Sequence, residues 1–407
     1  MWNNYAPLLS RLLAEAAPLL VYQIIVSVFV AFTTVNAICD GVTFRRPSRL
    51  RTKDVEAGRV KETVGSWPSL SVLIPARDEE AVLERCVTSI ASQRYPGRLE
   101  ILILDDHSTD HTGFISEGLA ASDSRIRALK GGELLPGWKG KPNALRQLAA
   151  QATGDLLLLT DADCFFYRGA LEASVRFREQ RGADCLSLMP YLECRSFWEH
   201  VVVPLQYFLV FVTLPIRNVY ATKNPAFAAA NGAFLLLPRA LYTELGGHEP
   251  VKAEMAEDIK FAQHVKRRGY RLVYGDGSRT YSVRMYDSLR GIWDGFSKNL
   301  YPAMGKSPLV LLIWALFLVT TQILPFVFVG IALARHDHSL SMFWLPLTHT
   351  VVSLLIRGAL ALRFRQQIWA AVTHPLGWII TIAIAINSAY LTYSRKGHSW
   401  KGRVYQN

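Results

Sequence analysis

The chain contains no C-x-x-C pair, and its five cysteines (Cys39, Cys86, Cys164, Cys185, Cys194) are scattered and odd in number. That argues against a disulfide framework and against a cysteine zinc site. Cys164 adjoins an acidic pair, where a packed cytosolic thiol is the simpler reading. Internal repeats and low-complexity tracts are also lacking. Acidic residues are in the minority: 33 Asp and Glu stand against 45 Lys and Arg, for a formal net charge of +12. Charge of either sign is absent from Ala16–Cys39, Ser307–Ala334, His338–Ile356 and Gln366–Ser394. Each run is close to or above the ~20 residues that cross a bilayer. The first is too long for a signal h-region, follows Glu15, and ends in Ile38-Cys39-Asp40 without a small-x-small site, so a cleaved leader is not expected.

What is present fits a membrane protein. Half of the residues are hydrophobic. The excess positive charge stands beside the apolar runs, so nucleic acid is not an expected partner. Arg45, Arg46, Arg49, Arg51 and Lys53 follow the first run with no acid among them. This is the positive-inside pattern, and it predicts a multi-pass cell (inner) membrane protein with the following domain cytoplasmic, its basic segment facing anionic headgroups. The expected organisation is an amphipathic lead-in (1–15), a transmembrane helix (16–39), a basic linker (40–68), a catalytic domain (69–302), transmembrane helices at 307–334, 338–362 and 368–394, and a basic tail (395–407). Counting spans places that tail on the far side, against the positive-inside rule, unless the chain re-enters at His374-Pro375. The apolar stretch His200–Ile216 lies between carboxylate clusters, so an interfacial helix is expected there rather than a span that would divide the site.

Between residues 70 and 274 apolar strands alternate with helical spacing. Strands are predicted at Leu70–Pro75, Leu99–Leu104, Arg125–Lys130, Leu156–Thr160, Ala233–Leu237 and Tyr270–Tyr274. Helices are predicted at Glu79–Gln93, Thr109–Ala121, Lys141–Ala152, Leu171–Gln180, Arg239–Leu245 and Glu257–Arg268. Short connections in such an alternation imply an α/β fold with a mainly parallel, Rossmann-like sheet.

Four carboxylate clusters mark this region: Asp78-Glu79-Glu80, Asp105-Asp106, Asp161-Ala162-Asp163 and Glu257-Asp258. The middle two close predicted strands, the rim where open α/β sheets place ligands. Asp161 and Asp163, at i and i+2, suit a hard cation such as Mg²⁺ or Mn²⁺ shared with phosphate oxygens; solvated loop aspartates are the plainer alternative. Ser108, Thr109 and Asp110 read as helix caps, which leaves the adjacent Asp105 and Asp106 without a structural reason. Lys141, near a helix start, suits a phosphate or is a surface lysine. Glu257 and Asp258 open a helix, where the dipole favours acids and makes capping a strong plain reading; the functional reading is a general base for an acceptor hydroxyl.

Five motifs in order carry a resemblance. They are Pro75-Ala76-Arg77-Asp78-Glu79-Glu80, Leu104-Asp105-Asp106-His107-Ser108-Thr109-Asp110, Gly140-Lys141, Asp161-Ala162-Asp163 and Glu257-Asp258. Residues 70–300 resemble the family 2 inverting glycosyltransferases of GT-A fold. With the flanking spans, the chain is most similar to the enzymes that glycosylate carotenoids, hopanoids or sphingolipids. Gly137–Lys141, Met285–Ser288 with Gly295–Asn299, and Trp400–Arg403 carry that closer likeness. The resemblance implies a nucleotide-sugar donor, a UDP-hexose, held by Pro75, Ala76, Arg77, Glu79, Asp105, Asp106, Lys139, Lys141 and Asp161, with Ala76, Glu79 and Asp106 on the uridine. It implies metal at Asp161 and Asp163, Asp258 as base, and Lys298 where processive members carry the arginine of (Gln/Arg)-x-x-Arg-Trp. The tryptophan of that motif is missing, which lowers the alternative of a processive polysaccharide synthase. The expected reaction moves one sugar to a membrane lipid with inversion.

Overall fold

A computed structural model describes residues 6–47, 66–394, 398–400 and 403–405. Arg49, Arg51, Lys53 and most of the basic linker, together with residues 395–397, 401–402 and 406–407 of the tail, lie outside the described residues. The chain divides into two compact units.

One unit comprises residues 42–193, 215–285 and 397–407. Its seven-stranded sheet has the order β3-β2-β1-β4-β8-β6-β9, with β1 Leu70–Ala76, β2 Leu99–Asp105, β3 Ile126–Lys130, β4 Leu156–Leu159, β6 Cys185–Met189, β8 Leu235–Pro238 and β9 Leu272–Asp276. Strands β1 to β4 pair in parallel, as do β6 and β9, while β8 runs antiparallel to both of its neighbours. The mainly parallel sheet expected from the alternation is present. A second, three-stranded sheet, β5 Cys164–Phe166, β10 Tyr281–Val283 and β7 Tyr191–Leu192, has no counterpart among the predicted strands. Strands of two or three residues are too short to show a period.

The near-continuous apolar runs of β1, β2 and β4 follow from burial on both faces. Leu70, Val72, Ile74, Ile101 and Ile103 join one core with Cys86, Val87 and Ile90 of the Leu83–Ala91 helix. Leu73, Leu102, Leu104 and Leu157 are buried on the opposite face, against which the Gly140–Gln151 helix packs. Burying each such aliphatic side chain stabilises the fold by about 1.5–3 kcal/mol. Two polar residues interrupt these runs in register, Ser71 opposite Glu100. Glu100 Oε1 accepts the N–H of Thr153 at 2.6 Å and of Gly154 at 3.2 Å, fixing the turn into β4.

The other unit comprises residues 1–41, 194–214 and 286–396. Four of its helices are long and apolar enough to cross a membrane: Pro18–Thr43, Pro308–Arg335, Leu340–Arg363 and His374–Tyr393. One is N-terminal and three are C-terminal, as the charge-free runs implied. The second and third of these widen into π turns at Val319–Ile323 and Leu340–Trp344. Pro325 and Pro346 follow closely, and a proline lacks the N–H and the space for a regular helical bond. The apolar stretch near residue 200 forms two helices, Phe197–Val202 and Leu205–Thr213, interrupted at Pro204. The Leu289–Ala303 helix packs on His374–Tyr393, where Asn387 Nδ2 donates to Ser297 Oγ at 2.9 Å. A side chain at Gly295 would collide with the Tyr286 ring, which accounts for glycine there.

Candidate active site

The loops leaving β1 and β2 are stitched together. Asp78 N–H donates to Ser108 Oγ (2.9 Å), Glu79 N–H to Thr112 Oγ1 (2.7 Å), Thr109 N–H to Asp78 Oδ1 (2.7 Å) and Arg77 Nη1 to the Asp106 carbonyl (2.6 Å). Asp78 and His107 take left-handed backbone angles, φ 50° and 60°, for which Asp and His are among the enriched types. Pro75 and Ala76 end β1, and the Ala76 carbonyl accepts Asp106 N–H at 2.7 Å. Asp105 Oδ1 accepts Ser108 N–H at 3.0 Å. Asp106 is buried, and its Oδ1 lies 3.3 Å from His107 Nδ1. The predicted caps are shifted. The helix starts at Thr112 with His111 at its N-cap, and Asp110 Oδ1 accepts Thr112 N–H at 2.9 Å.

Across the rim a lysine gathers the acids. Lys141, in the first turn of Gly140–Gln151, places Nζ 2.6 Å from Asp161 Oδ1 and 3.1 Å from Glu257 Oε1. Burial opposes its charge, but Asp161 and Glu257 outweigh burial and hold the ammonium well above its usual range. It is therefore neither a solvated surface lysine nor an unpaired phosphate ligand. Lys139 precedes it, with its N–H on the Lys252 carbonyl at 2.7 Å.

Asp258 adjoins this centre. Its Oδ2 accepts Gly232 N–H at 2.9 Å and its Oδ1 accepts Ile259 N–H at 2.8 Å. Desolvation, then the Glu257 charge, push its carboxyl up to about 6 against the pull of Lys141 and of the two N–H donors. It is ionised at neutral pH yet close enough to its midpoint to take a proton. A side chain at Gly232 would meet Lys141 Nζ at 2.9 Å and Asp258 Oδ2 at 3.4 Å. Sequence reasoning missed Gly232; the only signal was the small-residue run Ala228–Ala233 entering a strand. It also missed His248, whose Nδ1 lies 2.7 Å from Tyr242 Oη and whose ring stacks on Phe261 at 5.1 Å. Burial first, then the Lys141 charge, drive it down to about 3, so it is neutral.

Asp163 is pushed up to about 7 by desolvation and by the charges of Asp161 and Glu79. This surplus of negative charge is what a cation relieves. Among the described residues no three His, Cys, Asp or Glu side chains converge into an all-protein cage. Two carboxylates without a cage fit Mg²⁺ or Mn²⁺, which keep phosphate and water oxygens in their shell. Lys298 lies on the Leu289–Ala303 helix, in the membrane unit.

Residues 71–232 match the family model Glycosyl transferase family 2. The chain carries a family 2 glycosyltransferase domain. The 4,4'-diaponeurosporenoate glycosyltransferase of Staphylococcus aureus strain N315 is 24% identical over 390 residues, covering 93% of this chain and 97% of that protein. The protein of the same name from Staphylococcus haemolyticus strain JCSC1435 is 24% identical over 346 residues, covering 83% and 88%. The mannosyltransferase PcManGT from Pyrobaculum calidifontis, solved with GDP-Man and Mn²⁺, superposes with a TM-score of 0.53 at 18% identity, covering 91% of this chain and 99% of that one. That likeness establishes a GT-A type fold for the glycosyltransferase domain.

Proposed function

We propose that this glycosyltransferase moves a single sugar from a nucleotide-sugar donor, a UDP-hexose, to a carotenoid-type lipid acceptor, with inversion and with Mg²⁺ or Mn²⁺. The observation that carries the reading is the centre in which Lys141 binds Asp161 and Glu257 while Asp258, held at about 6, adjoins it. The relatives named for glycosylating diaponeurosporenoate match along nearly the whole chain, which supports a lipid acceptor of that class. The four apolar helices keep the enzyme in the membrane where such an acceptor dissolves, and Arg45 and Arg46 after the first support a cytoplasmic catalytic domain.

In this reading the stitched loops bind the nucleoside, with Ala76, Glu79 and Asp106 on the uridine and Pro75, Arg77 and Asp105 shaping the pocket. Asp161 and Asp163 would hold the cation, which would neutralise charge on the diphosphate. Lys139, Lys141 and Lys298 add positive charge for the phosphates, and Lys141 also holds Asp161 and Glu257 in place. Asp258 is fixed by Gly232 and Ile259, so its free lone pairs accept the proton of an acceptor hydroxyl. The acceptor oxygen bonds to the anomeric carbon as the carbon–phosphate-oxygen bond breaks on the far side, and the nucleoside diphosphate leaves. A carboxylate acceptor arrives ionised and needs no base.

The test is transfer by purified enzyme of labelled hexose from UDP-hexose to an extracted carotenoid acid or alcohol, with the product analysed by mass spectrometry and anomeric NMR. A mass-shifted lipid of inverted configuration is expected. Free-sugar release alone, or a polymer, refutes the assignment.

A further inference from the structure

The turn that enters β8 is anchored on both sides. It runs through Asn231, Gly232 and Ala233 and closes in an isolated antiparallel bridge between Asn231 and Phe234. The Asn231 N–H donates to Ser187 Oγ at 2.8 Å, and that hydroxyl donates back to the Asn231 carbonyl at 3.4 Å. The Ala233 N–H donates to Asn231 Oδ1 at 3.0 Å, the two-residue-ahead bond of an Asx turn. Thr160 Oγ1 donates to the Ala233 carbonyl at 2.8 Å. Ser187 lies in β6 and Thr160 directly follows β4, and these are the two neighbours of β8 in the sheet. Both hydroxyl residues are buried, where polar groups find partners.

Gly232 stands between these anchored residues. The N–H groups on either side of it are taken by Ser187 and by the Asn231 side chain, which leaves the Gly232 N–H for Asp258 Oδ2 at 2.9 Å. The other donor to Asp258 is the N–H of Ile259, which belongs to the same helix and moves with it. Gly232 therefore supplies the hydrogen bond that ties the carboxylate to the sheet. Asparagine closes the turn without adding a charge beside Lys141 and Glu257.

We propose that Asn231 and Ser187 are positioning residues: they set the turn so that the Gly232 N–H holds Asp258 in the orientation that takes the acceptor proton. The proposal rests on the reading of Asp258 as the base and adds the residues that act through it.

Its test uses the full chain in phospholipid nanodiscs. Asn231→Ala removes the acceptor for the Ala233 N–H, and Asn231→Ser keeps a neutral oxygen for it. Ser187→Ala removes the hydroxyl that holds the Asn231 backbone, and it decides the matter if Asn231→Ala does not fold. Glu257, Lys141 and Tyr274 are the other titratable groups that interact with Asp258, and every variant keeps them. Asn231→Ala and Ser187→Ala should each lower kcat about tenfold, the scale of one lost hydrogen bond, with UDP affinity by calorimetry unchanged. The acid limb of kcat/KM should move up by about half a pH unit, because a lost N–H donor disfavours the carboxylate. Asn231→Ser should recover most of the rate. In an Asp258→Asn background, Asn231→Ala should cost about twofold further at most, since its effect passes through the carboxylate. The Gly232 amide should exchange its hydrogen about tenfold faster in Asn231→Ala, with exchange in the rest of the sheet unchanged. Wild-type kcat and pH limb in the folded alanine variants, or a full tenfold loss added to Asp258→Asn, overturns the proposal. If Asp258→Asn itself transfers normally, the base reading falls; faster Gly232 exchange then still shows that Asn231 holds the turn on Asp258, and unchanged exchange overturns the proposal as well.

Discussion

Asp258→Asn should lower transfer without lowering the stability of the protein at neutral pH. The carboxyl sits at about 6 in the folded chain, against ~3.9 when unfolded. A gap of ~2 pH units corresponds to ~3 kcal/mol for a fully desolvated group. Asp258 keeps some solvent contact, so screening reduces this to about 1–2 kcal/mol. The sign follows from the raised value. The folded state binds this proton more tightly, so the ionised group opposes folding above pH ~6, and the penalty fades as pH falls towards ~4. Asparagine never ionises and escapes the penalty. Its amide, however, can accept from only one of the N–H groups of Gly232 and Ile259, a loss of ~1 kcal/mol. At pH 7.5 the variant should therefore equal wild type or exceed it by about 1 kcal/mol, and at pH 4 it should be about 1 kcal/mol weaker. Loss of the base should cost about 10² to 10⁴ in rate. Wild-type kcat/KM should fall about tenfold per pH unit below ~6, a limb absent from the variant. Denaturant unfolding at the two pH values, donor binding by calorimetry and transfer by radiolabel check each part. Transfer left intact would refute the base assignment, and a variant several kcal/mol less stable at pH 7.5 would make Asp258 a structural residue.

Further outcomes follow from the same geometry. EDTA should abolish transfer, Mg²⁺ or Mn²⁺ should restore it, and Asp163→Ala should resist restoration; undiminished turnover in EDTA contradicts the cation assignment. Gly232→Val should reduce transfer at least tenfold, since its first side-chain carbon already meets Lys141 Nζ at 2.9 Å and a displaced ion pair is costly; a fully active variant means that Lys141 need not stay where it is. Lys298→Gln should slow transfer roughly tenfold, the scale of one charge-assisted contact, with membrane insertion unchanged by fractionation; wild-type rates would leave Lys298 without a phosphate role.

The sequence by itself determined the elements and the class. Runs such as Leu99–Leu104 and Leu156–Leu159 are continuously apolar because both sheet faces are covered, and that is a local signal. The charge-free stretches determined the four long helices for the same reason, since a bilayer reads composition over some twenty neighbours. The order of acidic motifs carried the resemblance to family 2 glycosyltransferases, whose family model matches residues 71–232. Some strands escaped: β5, β7 and β10 have too few residues for a period, and β6, Cys185–Met189 in the main sheet, has no predicted counterpart either. The antiparallel direction of β8 depends on a return path that no local pattern encodes. Only the tertiary structure decided which charged groups of the candidate site meet. Lys141 looked equally like a surface lysine until Asp161 and Glu257, remote in sequence, closed on its ammonium. Asp258 looked like a dipole-favoured first-turn acid until burial and Glu257 raised its carboxyl. Charge–charge energies depend on distance and on how much water remains between the groups, and neither quantity exists along the chain before it folds.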